Sequence, residues 1–314
     1  MRLLRHPLVL AGLAILALLA IGEAVAPGFA GAGQLRSQFV IAAMLGVIAA
    51  GQNLVILAGR EGIDLSVGAM LGLGALVAGN VMDGDNAMIL AGLGAAVAVT
   101  GAFGLLNGLG ITILRIPPLV MTLGMAGVIQ GLLIILTSGR PSGRAAPALT
   151  RFIIDPLVAG IPGLVFVWAG LAVLLIWFLR RSRAGLNIYA IGTNQEAARL
   201  SGVPVTATRV LVFALSGAFS GITGFLILGY TQSVFIGVGN AYVLPSIIAV
   251  VIGGTPISGG TGGYTGTIAG AILLTLLQSL LNAMAIEPFG RQIIFGVVLI
   301  GLMLIYGRQD RLRT

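Results

Sequence analysis

The stretch NLVILAGREGIDLSVGAMLGLGALVAGN, residues 53–80, decides the fold class. It consists of two apolar, glycine-containing runs, and its charged residues Arg60, Glu61 and Asp64 lie together between them. A membrane helix needs about 20 predominantly apolar residues to cross the hydrocarbon core. The stretch therefore predicts two consecutive membrane segments joined by a short charged junction.

The composition of the whole chain supports a membrane protein. Of the 314 residues, 58% are hydrophobic and 8% are charged, and the mean hydropathy is +1.09. Soluble domains carry about 25% charged residues, so this chain has too few charges to cover a surface that faces water. Its 49 glycines suit membrane helices that approach each other closely.

Apolar runs continue along the chain and predict an all-α, polytopic membrane helix bundle. We expect a single membrane domain, residues 1–314, with about ten transmembrane segments and one or two broken helices. The eighth run is too short for a simple span and contains Pro245, which predicts a broken or re-entrant helix covered by protein. The runs are residues 8–25, 39–58, 63–82, 87–114, 119–137, 163–179, 210–229, 243–252, 264–284 and 293–306.

The distribution of arginine predicts the orientation of the bundle. With ten segments and the N-terminus inside, twelve of the 17 basic residues, all of them Arg, fall on the inner side. Positively charged residues are enriched in cytoplasmic loops. Both termini and the longest internal loop, residues 181–209, are therefore predicted to face the cytoplasm.

Several classes of site are disfavoured by the residues present. The chain contains no Cys and one His, so thiolate metal sites and disulfides are excluded, and we predict no metal or cofactor in this chain. A Walker-type phosphate loop needs a Lys, and every basic residue apart from the single His is Arg. Any ATP must therefore be hydrolysed by a partner. The net charge of +8 is spread over many loops, which favours contact with anionic lipid and argues against nucleic acid.

The loop of residues 181–209 contains a short predicted helix at residues 195–200. Asn194 is suited to cap its start, Gly202 is suited to end it, and Pro204 prevents its extension. Such a helix is either a solvated connector between two membrane segments or a docking helix for a cytoplasmic partner.

The residues of this loop resemble a known family motif. Glu196, Ala197 and Ala198, followed by Gly202, resemble the EAA loop of the permease subunits of ABC importers. The strings GIDLSVGAM, LLNGLGITILRIPPLVMTLG and VIGGTPISGGTGGYTGTIAGA are similar to segments of the ribose-type branch of bacterial sugar permeases. The resemblance covers residues 53–306.

The resemblance implies a permease subunit that moves a monosaccharide or related polyol across the bacterial inner membrane. It implies no catalytic residue in this chain, a cytoplasmic ATPase subunit, a second permease copy or paralogue, and a periplasmic solute-binding protein. It assigns coupling to the ATPase to the loop of residues 181–209, here called the coupling loop, with Asn194, Glu196, Ala197, Ala198 and Gly202. The sequence departs from the family where Arg60 and Glu61 replace a second glycine pair and where Gln130 replaces an Arg, which leaves the substrate open.

Two glycine-rich junctions connect predicted membrane segments on the cytoplasmic side. In the first junction, residues 59–68, Asp64 is predicted either to cap a helix at an interfacial turn or to belong to a discontinuous helix that lines a transport path. The second junction, residues 253–263, is predicted to be a flexible turn with close helix packing, able to meet the first across the bundle.

Polar residues within apolar runs are candidates for a translocation path. Any one of them is also suited to hydrogen bonding with a neighbouring helix, but together they fit an uncharged, polyhydroxylated solute. Two alternatives remain: a permease of a branched-chain amino-acid-type ABC importer and a stand-alone secondary carrier. The path candidates are Asp64, Ser66, Gly68, Asn53, Asn107, Gln130 and Gln278, with Gln52, Thr122, Ser216 and Asn282 as further polar residues within the runs.

Overall fold

The computed structural model describes residues 7–59 and 62–311, and this part of the chain forms thirteen α-helices, one short 3-10 helix (Asn86–Met88) and one small hairpin. The hairpin pairs β1 (Pro156–Val158) with β2 (Ile161–Pro162) in antiparallel fashion. The helices are α1 (Pro7–Val25), α2 (Ala32–Leu57), α3 (Val67–Met82), α4 (Ile89–Thr112), α5 (Pro118–Thr137), α6 (Pro147–Ile154), α7 (Gly163–Arg181), α8 (Arg183–Thr193), α9 (Gln195–Leu200), α10 (Val205–Thr231), α11 (Asn240–Ile252), α12 (Tyr264–Ala283) and α13 (Pro288–Arg311).

The helices confirm an all-α, multi-pass membrane protein. Within the described residues, six helices are long and apolar enough to cross a bilayer, and four shorter apolar helices fall on the other predicted segments. Large apolar side chains of α5 and α7 point out of the bundle, among them Ile135 at 76% and Val173 at 69% exposure. In a membrane these faces contact lipid, which needs no polar cover.

Two groups of four helices have the same order and packing. The first group is α2–α5 and the second is α10–α13. In each group a long first helix is followed by a short one, α3 with 16 residues and α11 with 13. Helix α2 packs on α11 and α12, whereas α10 packs on α3 and α4, so each group's first helix packs against the second and third helices of the other.

Glycines permit the close packing between the two groups. A Cβ on Gly108 of α4 would lie 2.7 Å from the Cα of Val210 on α10, and one on Gly74 of α3 would lie 2.9 Å from the Cα of Gly221. Cβ atoms do not approach other heavy atoms so closely, so these positions require glycine. The abundance of glycine therefore has the structural reason expected from the sequence.

Several predicted helix limits are wrong. Helix α2 begins at Ala32 rather than at residue 39, and α10 begins at Val205 rather than at residue 210, because moderately polar residues extend these helices beyond the apolar runs. Helix α3 begins only at Val67, after a non-helical stretch over residues 62–66. The eighth segment is not broken: α11 continues through Pro245 as one short helix.

Three surface elements were not predicted: α6, the hairpin and α8. Helix α6 has Pro147 at its start, where a missing N–H costs nothing. Helix α8 is capped by Ser182, whose hydroxyl accepts from the backbone N–H of Gly185 at 2.9 Å. It buries Ile188 and Ile191 on one face. These short elements carry too few apolar residues to stand out as membrane runs.

Candidate functional site

The first junction enters the interior of the bundle instead of lying at its surface. Gly59 packs beside Gly192 of α8, and residues 62–64 then run without regular secondary structure to a turn at Leu65 and Ser66. Asp64 Oδ2 accepts a hydrogen bond of 2.8 Å from the hydroxyl of Ser216, which lies near the middle of α10. Asp64 is fully buried, so its carboxylate lies inside the bundle and not on a surface that faces solvent.

Asp64 organises the start of α3 through hydroxyl and backbone donors. Its Oδ1 accepts from the backbone N–H of Ser66 at 3.0 Å and from the Ser66 hydroxyl at 2.5 Å. The amide of Asn107 on α4 donates to the Ser66 hydroxyl oxygen at 2.9 Å. Asp64 thus fixes the residue that precedes α3 rather than capping the first helical N–H groups. It joins α3, α4 and α10.

Neighbouring side chains hold the backbone of the same segment. The Thr122 hydroxyl of α5 accepts from the Leu65 N–H at 3.1 Å and donates to the Ile63 carbonyl at 3.3 Å. With its amide oriented to match its neighbours, Gln52 of α2 donates to the Asp64 carbonyl at 3.2 Å and accepts from the Asp64 N–H at 3.3 Å. The segment is therefore tied to four helices, with Gly62, Asp64 and Ser66 buried.

The two glycine-rich junctions meet. The N–H of Gly260 donates to the carbonyl of Leu57 at 3.0 Å, and a Cβ on Gly259 would lie 2.5 Å from the Cα of Gly59. The second junction turns through Gly254, Gly259, Gly260, Gly262 and Gly263, all with positive φ. This backbone conformation favours glycine, so the expected contact between the junctions is present.

A small polar cluster closes the same end of the bundle between α2, α11 and α12. The Asn53 amide donates to the hydroxyl oxygens of Thr255 at 3.3 Å and Thr267 at 3.0 Å. All three residues are fully buried. This cluster lies at the C-terminal ends of α2 and α11 and at the N-terminal end of α12.

An open cavity of about 460 Å³ lies at the opposite end of the same three helices. Its volume falls in the range of small-molecule sites. It is formed by the N-terminal parts of α2 and α11 and the C-terminal part of α12. Its lining, taken from the described residues, contains no charged side chain and consists of Gln34, Ser37, Gln38, Ile41, Leu45, Ala241, Tyr242, Pro245, Thr275, Gln278, Ser279, Asn282 and Ala283.

Most of the cavity's polar residues were missed in the sequence. Only Gln278 and Asn282 were singled out. A usable signal was present, because Thr275, Gln278, Ser279 and Asn282 recur at the spacing of one helix face. On α2, residues 34 and 38 are also one turn apart. A polar stripe on an otherwise apolar helix is a better marker of such a cavity than any single polar residue.

The predicted path candidates thus separate into groups. Asp64, Ser66 and Asn107 share one buried network, and Gly68 lies beside it, where a Cβ would lie 2.6 Å from the Gly239 carbonyl oxygen. Gln278 lines the open cavity, and Asn53 lies in the cluster below it. Gln130 is on an exposed face of α5, away from all of these. Arg60 and Glu61 lie outside the described residues.

The predicted short helix of the coupling loop is present as α9. Asn194 Oδ1 accepts from the N–H of Ala197 at 3.0 Å, which confirms the expected N-cap. At the other end Gly202 has φ +82°. The N–H groups of Gly202 and Val203 donate to the carbonyls of Arg199 and Ala198, the pairing of a Schellman motif. The local structure therefore follows the sequence prediction.

Within α9, the side chains of the motif differ in exposure. Ala198 is buried at 5% exposure, whereas Glu196 is exposed and forms an ion pair with Arg199 at 2.6 Å. An exposed pair of this kind contributes little to stability. The polar face of α9 is thus open to solvent.

Helix α8 connects this surface to the second junction. The Tyr189 hydroxyl donates to the Gly262 carbonyl at 3.0 Å, and the Thr193 hydroxyl donates to the Gly260 carbonyl at 3.4 Å. Burial raises the pKa of Tyr189, and the charge of Arg180 opposes this shift. Tyr189 therefore remains a protonated donor at neutral pH. These bonds attach α8 to the second junction.

Comparison with known proteins gives a consistent result. Residues 35–306 match the family described as the branched-chain amino acid transport system / permease component. The ribose import permease protein RbsC of Escherichia coli (strain K12) is 32% identical over 304 residues, which cover 95% of this chain and 93% of that protein.

Two other relatives extend the comparison. RbsC of Bacillus subtilis (strain 168) is 34% identical over 84% of this chain and 81% of its own length. The autoinducer 2 import system permease protein LsrC of Enterobacter sp. (strain 638) is 31% identical over 98% of this chain and 88% of its own length. No solved structure matches the chain.

Proposed function

Since the chain belongs to the family of branched-chain amino acid transport system permease components, on the branch of the ribose importers, we propose that it carries a monosaccharide or related polyol across the bacterial inner membrane. It is the permease subunit of an ABC importer, and ATP is hydrolysed by a separate ATPase subunit. A periplasmic solute-binding protein delivers the solute to the open cavity.

The open cavity is the observation that supports this substrate class. Its polar lining residues are neutral amides and hydroxyls, which both donate to and accept from hydroxyl groups. An amino acid carries a carboxylate and an ammonium group, and burying these charges without charged partners is costly. The lining therefore favours a sugar over the amino acid of the alternative hypothesis. One relative is named for autoinducer 2 import, so the proposed substrate class includes polar solutes other than common sugars.

We infer a path along α2, α11 and α12. The cavity is its outer part, with Gln278 in the wall. The Asn53 cluster and the two touching junctions close its inner end, so the structure corresponds to a state open to the outside. Asp64, Ser66, Gly68 and Asn107 serve this path indirectly, by holding the short helix α3 against α10 and α11. Short helices that start within a bundle are a recurrent feature of transport sites.

The proposed topology has ten spans with both termini in the cytoplasm. The six long helices and the four shorter apolar helices then alternate in direction. Helix α11 spans with only 13 residues because Val238 and Gly239, directly before it, are buried in the bundle, and Gly239 packs against Gly68. The open cavity faces the periplasm and the coupling loop faces the cytoplasm.

Coupling to the ATPase is assigned to α9. Asn194 and Gly202 fix its two ends, Ala197 and Ala198 keep one side small, and Glu196 faces solvent. We propose that this helix enters a cleft of the ATPase subunit and that α8 transmits its movement to the second junction. A second copy or a paralogue of the chain completes the path on the open side of the cavity.

Purification of the chain from its own host tests the assignment. A tagged chain, extracted from membranes in mild detergent, is expected to retain an ATPase subunit whose hydrolysis rises when the solute-binding protein is added. A chain that purifies without any ATP-hydrolysing subunit, and that supports solute uptake in cells depleted of ATP, would instead favour the secondary carrier.

The topology predicts the accessibility of single cysteines. The chain has no native Cys, and Ala207 at the start of α10 and Asp155 after α6 are both exposed. In intact cells, a membrane-impermeant maleimide should label Asp155→Cys and leave Ala207→Cys unlabelled until the cells are permeabilised. Labelling of Ala207→Cys in intact cells would show that the ten-span orientation is wrong.

Gly202→Asp is expected to impair coupling without unfolding the membrane domain. An aspartate with left-handed backbone costs about 1–2 kcal/mol, and its charge lies at the end of the helix that enters the ATPase cleft. Uptake and co-purified ATPase should both fall. The matched control is Gly139→Asp, because Gly139 also has positive φ, at +74°, with open space around it, but at the outer end of α5. An equal loss of uptake and of co-purified ATPase in both variants would show that Gly202 has no docking role.

A further inference from the structure

We propose that Gln38 and Thr275 form a hydroxyl-binding subsite in the wall of the open cavity, an assignment that rests on the importer function proposed above. The subsite binds an uncharged, polyhydroxylated solute after its release from the binding protein. It makes the permease itself selective, in addition to the protein that delivers the solute.

Two buried polar atoms in this wall have no partner. Gln38 is 4% exposed and Thr275 is 3% exposed. Gln38 Oε1 and the Thr275 hydroxyl oxygen make no hydrogen bond to any residue that the structure describes. An unpaired buried polar group costs about 1–3 kcal/mol, so such groups normally have a partner. Here the partner is missing from the protein itself.

Of the two cavities that border Gln38 and Thr275, the open cavity is the one that can supply a hydrogen-bond partner. Gln38 and Thr275 also border a second cavity of about 50 Å³ against α1. Its other lining residues, within the described part of the chain, are apolar: Ile15, Leu19, Leu35, Phe39, Ala42, Ile272 and Leu276. These side chains offer neither a donor nor an acceptor. Both atoms are covered in this structure, and of the two cavities that these residues line, only the larger one has other polar groups in its wall.

Ser279 adds a directed donor to the same wall. Its hydroxyl oxygen accepts from the amide of Gln38 at 3.0 Å and from the amide of Gln34 at 3.4 Å. A hydroxyl has two acceptor sites and one proton, so both acceptor sites are occupied and the proton remains to be donated. Thr275 lies one helical turn further in on the same face of α12. The wall thus presents the amide oxygen of Gln38 as an acceptor, the Thr275 hydroxyl as a donor or acceptor, and the Ser279 hydroxyl as a donor.

The corresponding place in the other group of helices is filled by polar side chains. Helices α3, α4 and α10 meet there in the way that α11, α12 and α2 meet around the cavity. Asp64, Ser66, Asn107 and Ser216 fill this place and bond to each other. One site is therefore closed by the chain's own side chains, with the Asn107 amide oxygen left unpaired, whereas the other is left open as a cavity. This difference points to a ligand at the open one.

The test replaces the Thr275 hydroxyl without changing the side-chain volume. Chromosomal variants in the native host keep the ATPase and binding protein in place, and uptake of labelled D-ribose, D-xylose, D-galactose, ribitol and L-leucine is measured and normalised to membrane level. For the solute that the wild type takes up fastest, Thr275→Val is expected to lower uptake about tenfold, as for one lost hydrogen bond to a buried group. Thr275→Ser is expected to retain uptake, because it keeps the hydroxyl.

The matched control is Thr223→Val, because Thr223 is a buried threonine of α10 whose hydroxyl bonds to the Phe219 carbonyl of its own helix at 2.8 Å. This variant should transport normally. If Thr275→Val does not reach the membrane, Gln38→Leu takes its place, with the same expected loss. The subsite would be overturned if the tested variant took up solute at the wild-type rate. It would also be overturned if Thr275→Ser or the control lost as much uptake as the tested variant. A wild type that takes up none of the four polyhydroxylated solutes would instead overturn the proposed function.

Discussion

Asp64→Ala is expected to abolish uptake and to reduce the amount of folded protein in the membrane. The substitution removes the acceptor of three hydrogen bonds, from the Ser66 N–H, the Ser66 hydroxyl and the Ser216 hydroxyl. These groups are fully buried, and each one left unpaired costs about 1–3 kcal/mol. The start of α3 would separate from α4 and α10. Membrane level and thermal stability in detergent measure the effect.

Asp64→Asn separates the structural role from a role of the charge. Asparagine keeps an acceptor for Ser66, and its amide can donate to the Ser216 hydroxyl oxygen, which is free to turn its proton away. We therefore expect Asp64→Asn to fold and to transport within a few-fold of the wild type. A folded Asp64→Asn protein without uptake would contradict this expectation and show that the carboxylate charge takes part in transport.

Gly192→Ala is expected to reduce uptake by at least roughly tenfold, because forced overpacking of this kind typically costs about 1–3 kcal/mol. A Cβ at this position would collide with the carbonyl oxygen of Leu57 and would lie 2.5 Å from the N atom of Gly260. Both are backbone atoms and cannot rotate away. Helix α8 would be displaced from the two junctions, so movement of the coupling loop would no longer reach them. Uptake relative to co-purified ATPase measures the loss.

The control for this variant is Gly170→Ala on the neighbouring helix α7. A Cβ on Gly170 meets no atom within 4 Å, and alanine stabilises a helix interior by about 0.5–1 kcal/mol relative to glycine. This variant should be neutral. A Gly192→Ala protein that transports as well as the control would contradict transmission through α8.

Apolar runs made the fold class predictable, because every helix that crosses the bilayer must be predominantly apolar. The limits of α2 and α10 were less predictable, since helices continue into polar residues once neighbouring helices pack against them. The prediction of where α3 begins failed for a different reason. The predicted segment began at residue 63, but Gln52, Thr122 and Ser216, on three different helices, bond to residues 63–65 and hold them in a non-helical conformation.

The short helix α9 was predictable because its caps are local. Asn194 and Gly202 act within one turn of their own positions. The open cavity was not predictable from single residues, because Gln38 and Ser279 are distant in the sequence and come together only when α2 packs on α12. Gln130 shows the opposite error, since a polar residue in an apolar run proved to lie on an outer face.

Reconstitution tests the central claim most directly. The chain, its ATPase subunit and its solute-binding protein are placed in proteoliposomes with ATP on the side of the coupling loop. The account predicts ATP-dependent accumulation of a labelled polyhydroxylated solute, from a panel of D-ribose, D-xylose, D-galactose and ribitol, and no accumulation of L-leucine. Accumulation of leucine in preference to every sugar, or equal accumulation without ATP, would contradict it.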